Sequence, residues 1–203
     1  MTVLNWLLDN WVENIGVVTG LLYIVLSVRQ NIWCWIFGII SSGVYLLVFF
    51  NSKIYADMSL QVYYVLMGVY GWVHWAGADN KEIGSAVPIV RLNIKSALNL
   101  FTITIVLFFI IAWVLIKFTD SPIPWADAFT TSLSFTATWM LARKIIEHWV
   151  IWIVVDAVSV GLYFYRELYS SILLFGVLTA LAIYGYFEWN NQWKKDQKTV
   201  ILL

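Results

Sequence analysis

Apolar runs of bilayer length recur along this chain, and its charged residues fall mostly between them or at their ends. A helical segment of about 20 apolar residues spans the hydrocarbon core of a bilayer. In lipid the backbone must satisfy its own hydrogen bonds, so such runs become helices. A bilayer-length window places seven of them, at 14–28, 32–50, 57–75, 97–117, 125–142, 147–165 and 169–189. Composition argues against a soluble domain: 62% of the residues are hydrophobic and 12% charged, where soluble domains carry roughly 25% charged residues. The expected class is all-α integral membrane.

The loops after the first, third and fifth spans share a side with the C-terminal tail. They hold Arg29, Lys81, Arg91, Lys95, Arg143, Lys144, Lys194, Lys195 and Lys198, against Lys53, Lys117 and Arg166 on the other side. Basic residues gather on the cytoplasmic face, so the expected orientation is N-terminus outside and C-terminus in the cytoplasm. Asp9 and Glu13 stand where a cleavable leader would be basic, so the first span is read as its own signal. Twelve basic residues balance twelve acidic ones and form no basic stripe, which removes a nucleic-acid partner. The single Cys34 can form no internal disulfide and no multi-cysteine metal site, and reads as a small buried hydrophobe.

One constant offset of 114 residues pairs Trp11 with Trp125, Arg29 with Arg143, Trp35 with Trp149, Tyr55 with Tyr169, Tyr70 with Tyr184, Gly71 with Gly185 and Trp75 with Trp189. The matches fall at equivalent ends of equivalent spans, so the chain reads as a duplication. Residues 1–76 form the first three-helix repeat and 121–190 the second. Residues 77–120 supply a linker loop and a linker helix, and 191–203 a cytoplasmic tail. Three helices end on the face opposite their start, so the fourth must return the chain before the second copy begins. The copies are then parallel, as in the parallel-repeat class of transporters, with a solute site expected between them near mid-bilayer.

A charge retained at the bilayer centre costs at least about 2.5 kcal/mol and faces protein or a water-filled cavity. Asp156 is such a charge. Steps of three and four residues put Trp149, Trp152, Asp156, Ser159 and Tyr163 on one helix face. A carboxylate among aromatic rings suits a delocalised organic cation, by charge pairing and cation–π contact. The alternative is a carboxylate bonded to a neighbouring helix. The mate of Asp156 is Ser42, on a face with Trp35, Gly38, Tyr45 and Phe49. The third span adds Gln61 and Tyr64, with Gly68 and Trp72 beyond, and the seventh adds Tyr184. An amide such as Gln61 needs a partner in an apolar helix, either the solute or a neighbouring helix. Trp33, Trp72, Trp75, Trp189 and Trp193 lie near span ends, where the interfacial aromatic belt is the simplest expectation. His74 and His148 sit at membrane edges and make no metal site. Arg143 and Glu147, one turn apart, are expected to form a local ion pair.

No lysine lies inside the last span to form a retinal Schiff base, and no nucleophile with its base appears, so neither a photoreceptor nor an intramembrane enzyme is expected. The stretches "YADMSLQVYYVLMGVYGWVHW" (55–75) and "ARKIIEHWVIWIVVDAVSVGLYFYRELY" (142–169) resemble the Pnu family of bacterial vitamin transporters, a resemblance that covers nearly the whole chain. It implies a 3+1+3 fold related to full-length SWEET transporters, assembled as a homotrimer in the inner membrane and using no cofactor. It also implies facilitated diffusion made one-way by a cytoplasmic vitamin kinase. The nicotinamide riboside branch carries asparagines where this chain has Gly68 and Asp156, and another near Tyr184. The segment 154–169 looks instead like the thiamine-transporting PnuT branch. Thiamine is therefore the expected solute and nicotinamide riboside, itself a cation, the alternative; riboflavin is neutral and gives Asp156 less to do.

Overall fold

The computed structural model describes residues 11–51, 55–79, 87–165 and 169–201. Seven helices lie in them: α1 (Trp11–Val28), α2 (Cys34–Asn51), α3 (Tyr55–Asp79), α4 (Ile94–Phe118), α5 (Pro124–Ala142), α6 (His148–Tyr165) and α7 (Tyr169–Ile201). They fall on the seven spans read from the sequence. The largest difference is at α7, which continues through most of the stretch expected to be a tail. Helices α4 and α7 each contain a segment long and apolar enough to cross a bilayer alone, Ile94–Phe118 and Ile172–Lys198, while Asn14–Val28, Cys34–Phe50 and His148–Leu162 are shorter apolar stretches.

The chain divides into two compact units, Met1–Gly84 and Ser85–Leu203. In the first, α2 packs against both α1 and α3. Helix α1 ends in a tight turn: Gln30 takes a left-handed φ of 55°, its N–H donates to the Ser27 carbonyl (3.0 Å), and the Asn31 N–H donates to the Leu26 carbonyl (2.9 Å). The Asn31 side-chain oxygen accepts the Trp33 N–H at 3.0 Å and so helps to open α2. Further along, the Ser41 hydroxyl donates to the Gly16 carbonyl at 2.9 Å and ties α2 to α1.

In the second unit α4 packs on α5, α5 on α6, and α6 on α7. Helix α4 starts where the Asn93 side chain accepts the Ser96 N–H at 2.8 Å, and its apolar residues Ile94, Leu98, Phe101 and Phe109 are exposed. The hydroxyls of Ser134, Thr136 and Thr138 on α5 each donate to the carbonyl four residues earlier, which satisfies them inside their own helix. Thr136 also meets Thr104 of α4, hydroxyl to hydroxyl, at 2.7 Å. The α5–α6 turn repeats the first one bond for bond: Lys144 has a φ of 51°, its N–H donates to the Leu141 carbonyl (2.9 Å), and the Ile145 N–H donates to the Met140 carbonyl (3.0 Å).

Each repeat closes on a three-residue knot. In the first, Trp35 and Trp75 meet edge to face, with ring centroids 5.4 Å apart; in the second, Trp149 and Trp189 do so at 5.8 Å. Gly71 and Gly185 make the grooves that receive Trp35 and Trp149, since a Cβ on either glycine would overlap the ring. This corrects the expectation for Trp75 and Trp189, which are 5% and 0% exposed and belong to the core, not to an interfacial belt. The physical reason is the glycine one turn earlier, which lets a large ring bury its whole face between two helices.

Candidate functional site

In the second unit α6 carries Asp156, which is 5% exposed. Among the described residues no side chain donates a hydrogen bond to it, so the alternative of a carboxylate held by a neighbouring helix finds no partner there. Ser159, on the same face, spends its hydroxyl on the Val155 carbonyl at 2.8 Å. Trp152, one turn before Asp156, is half-buried. Trp149 is taken up by the knot with Gly185 and Trp189, which splits the face read from the sequence into a packing end and an end that carries the buried Asp156 carboxylate. The Tyr163 side chain lies outside the described residues. Tyr184 is 59% exposed and does not share the buried stripe of Ala182, Gly185 and Trp189 that α7 turns inward.

In the first unit the expected residues come together by register. Helices α2 and α3 run antiparallel, with Trp35 against Gly71 and Ile39 against Gly68. Continuing that register by one and two turns sets Ser42 level with Tyr64 and Tyr45 level with Gln61 along the two helices. Ser42 is buried and Gln61 half-buried, and among the described residues neither side chain has a hydrogen-bond partner. The interhelical bond considered for Gln61 is therefore absent among the described residues. Tyr45 lies against Gly16 of α1 and stacks on Phe49 at 6.0 Å, and the Tyr64 ring lies 5.8 Å from Tyr63. Trp72 faces another way: it is half-buried against the edge of Trp33, 5.7 Å between centroids. Gly68 leaves no room for a larger residue as packed, because a Cβ there would come within 2.5 Å of Ile39 Cγ1.

Two sequence expectations outside the site change. Glu147 does not serve mainly as the ion-pair partner of Arg143: its carboxylate accepts the Leu92 N–H at 3.0 Å, while the Arg143 guanidinium lies 5.9 Å from the centre of the Trp139 ring. A backbone N–H brought in from the linker was not visible in the spacing of charges. His148 is not at an exposed edge. It is fully buried against Trp149 and Trp189, with Nδ1 at 2.7 Å from the Ile145 carbonyl. No group of three or more metal-ligating side chains is found among the described residues.

The arrangement offers a buried carboxylate on α6 and, in the first unit, the Ser42 hydroxyl, the Gln61 amide and the Tyr64 phenol, with the Tyr45 ring turned against α1. Known proteins resemble the chain along nearly its full length. The nicotinamide riboside transporter PnuC of Escherichia coli strain K12 is 24% identical over 90% of this chain and 86% of its own. The riboflavin/roseoflavin transporter RibM of Streptomyces davaonensis is 24% identical over 94% of this chain and 90% of its own. A crystal structure of the vitamin B3 transporter PnuC superposes with a TM-score of 0.74 at 23% identity, over 92% of this chain and 83% of that one, and shares its fold. These relatives lend no support to the thiamine branch. The family model described as nicotinamide mononucleotide transporter matches residues 10–191, and the chain belongs to that family of membrane transporters.

Proposed function

We propose that this protein passes a small, cationic, unphosphorylated vitamin across the membrane by facilitated diffusion, with nicotinamide riboside as its solute. The observation that carries the reading is Asp156, a carboxylate 5% exposed within an apolar helix and without a hydrogen-bond donor among the described residues. Such a charge is retained where it meets an opposite charge, and the pyridinium of nicotinamide riboside supplies one. The relatives named for that solute support the choice. Helices α1, α2, α3, α5 and α6 contain no lysine or arginine, so no cation within them would pair a phosphate. The riboside, not the mononucleotide, is the carried form, and a cytoplasmic kinase would trap it after entry. The excess of basic residues on one set of loops supports a cytoplasmic C-terminus.

Thiamine is a second reading. It draws on the same carboxylate and on Gly68, where Ile39 fills the space an asparagine of the nicotinamide riboside branch would need. Uptake into proteoliposomes separates the two. Labelled nicotinamide riboside should enter saturably, stop at equilibrium without a trapping kinase, and be displaced by unlabelled riboside at lower concentration than by thiamine. Tighter competition by thiamine reverses the assignment, and accumulation driven by a sodium or proton gradient removes facilitated diffusion.

A further inference from the structure

Residues 87–92 run along the α5–α6 turn as a strap. Val90 pairs with Ile145 in a parallel bridge: its N–H donates to the Lys144 carbonyl and its carbonyl accepts the Ile146 N–H, both at 3.0 Å. The Leu92 N–H then donates to Glu147 Oε2 at 3.0 Å. Arg91 donates to the side-chain oxygen of Asn190 and lies 4.7 Å over the Trp193 ring. One short segment, with its own Ile89 buried, thus joins the turn, the start of α6 and the far end of α7.

Among the described residues the first unit has the same turn without a strap. Gln30 and Lys144 share their left-handed backbone, yet the bridge at Val90 is the only one among the described residues. At the position of Ile145 the first repeat has Asn31, which caps α2 from its own side chain, and at the position of Glu147 it has Trp33, which can accept no N–H. Among the described residues the strap is therefore found on one copy only.

We propose that the strap is a permanent clamp on the first turn of α6, with Glu147 as its positioning residue. It holds Asp156, about 14 Å further along the same helix, in one place throughout the transport cycle. Two backbone bonds fix the turn, and the charge-assisted bond from Leu92 fixes the helix start, where a carboxylate also suits the helix dipole. The inference rests on the transport reading for its consequence but not for its geometry, and the tests are divided accordingly.

Hydrogen exchange on the purified protein tests the geometry without any solute. The Val90 and Leu92 amides should be protected, and Glu147→Ala should speed their exchange at least tenfold; unchanged exchange overturns the clamp. For the consequence, Val90→Cys and Ile145→Cys in a Cys34→Ala background place two thiols at a bridged pair, within reach of a disulfide. With nicotinamide riboside as probe in proteoliposomes, oxidised and reduced forms should take it up at rates within twofold. Uptake abolished by oxidation and restored by reduction would show that the strap must open, and the proposal fails. Glu147→Ala should raise the half-saturating concentration five- to tenfold with the maximal rate within twofold, while Glu147→Gln, which keeps an acceptor oxygen, stays within twofold of wild type in both. Equal loss in the two variants also overturns the positioning role. Absence of uptake by the unmodified protein would refute the transport reading, with the exchange measurement still deciding the clamp.

Discussion

At Trp35 and Trp149 the two repeats are built alike, each ring seated on a glycine and met edge-on by a second tryptophan. Two turns further along the same helices they part, where one has Ser42 and the other Asp156, both buried. Packing that depends on ring shape and on a missing Cβ tolerates no divergence after duplication. At Ser42 and Asp156 no such ring-on-glycine contact is made, and the two copies carry different side chains, one of them a carboxylate. The candidate chemistry of this protein therefore lies in a difference between two otherwise equivalent faces.

The strongest way to break the likeness is to fill the grooves. Gly71→Val and Gly185→Val each drive a branched side chain into an indole ring that has nowhere to go, and each should lose about 3 kcal/mol or more of stability. Thermal unfolding in detergent reads this, with Gly43→Ala and Gly161→Ala as controls. Nothing lies within 4 Å of a Cβ at either control position, so those variants should gain up to about 1 kcal/mol from helix propensity. If one repeat tolerates valine and the other does not, the knots are not equivalent.

The next effect sharpens the difference. Asp156→Asn keeps size and removes charge, and should weaken a cationic solute by roughly tenfold to a hundredfold, measured by quenching of tryptophan fluorescence. Its mate Ser42→Ala should cost less, about two- to tenfold, the range of one neutral hydrogen bond. A neutral isostere of the solute should lose far less than the cation on Asp156→Asn. Equal losses for the two would make Asp156 a structural residue.

How much of this could be read from residues alone follows from which interactions leave a periodic trace. The seven helices did, because each is a run of apolar residues, and the duplication did, because Trp35, Gly71 and Trp75 recur together after 114 residues. The meaning of Trp75 and Trp189 did not: a tryptophan at a span end suits an interface as well as a core, and only the ring lying on Gly71 or Gly185 separates the two. The tight turns were hidden because Gln30 and Lys144, not glycine, hold the left-handed positions. The strap was hidden because Val90 and Leu92 act through backbone groups, which every sequence contains. Asp156 stood out as an apolar helix with one charge in it. The α2–α3 register needed the pairing of Ile39 with Gly68 before Ser42 could be set level with Tyr64 and Tyr45 level with Gln61.

The smallest effect tests the likeness most finely. The indole N–H groups of Trp35 and Trp149 are both buried without a hydrogen-bond acceptor, at equivalent places in the two repeats. An unpaired buried donor carries a desolvation cost of about 1–3 kcal/mol, and Trp→Phe removes it. The same change gives up part of a buried ring, a loss of similar size at about 25 cal/mol per Å² of apolar surface. Each position also keeps a further aromatic neighbour, Tyr23 for Trp35 at 6.3 Å and His148 for Trp149 at 4.5 Å. Trp35→Phe and Trp149→Phe should therefore each change stability by no more than about 1 kcal/mol, and by nearly the same amount. A loss above about 2 kcal/mol at one of them alone would mean that this N–H acquires a partner in the membrane and its mate does not. The asymmetry between the repeats would then extend from Asp156 down into the knot itself.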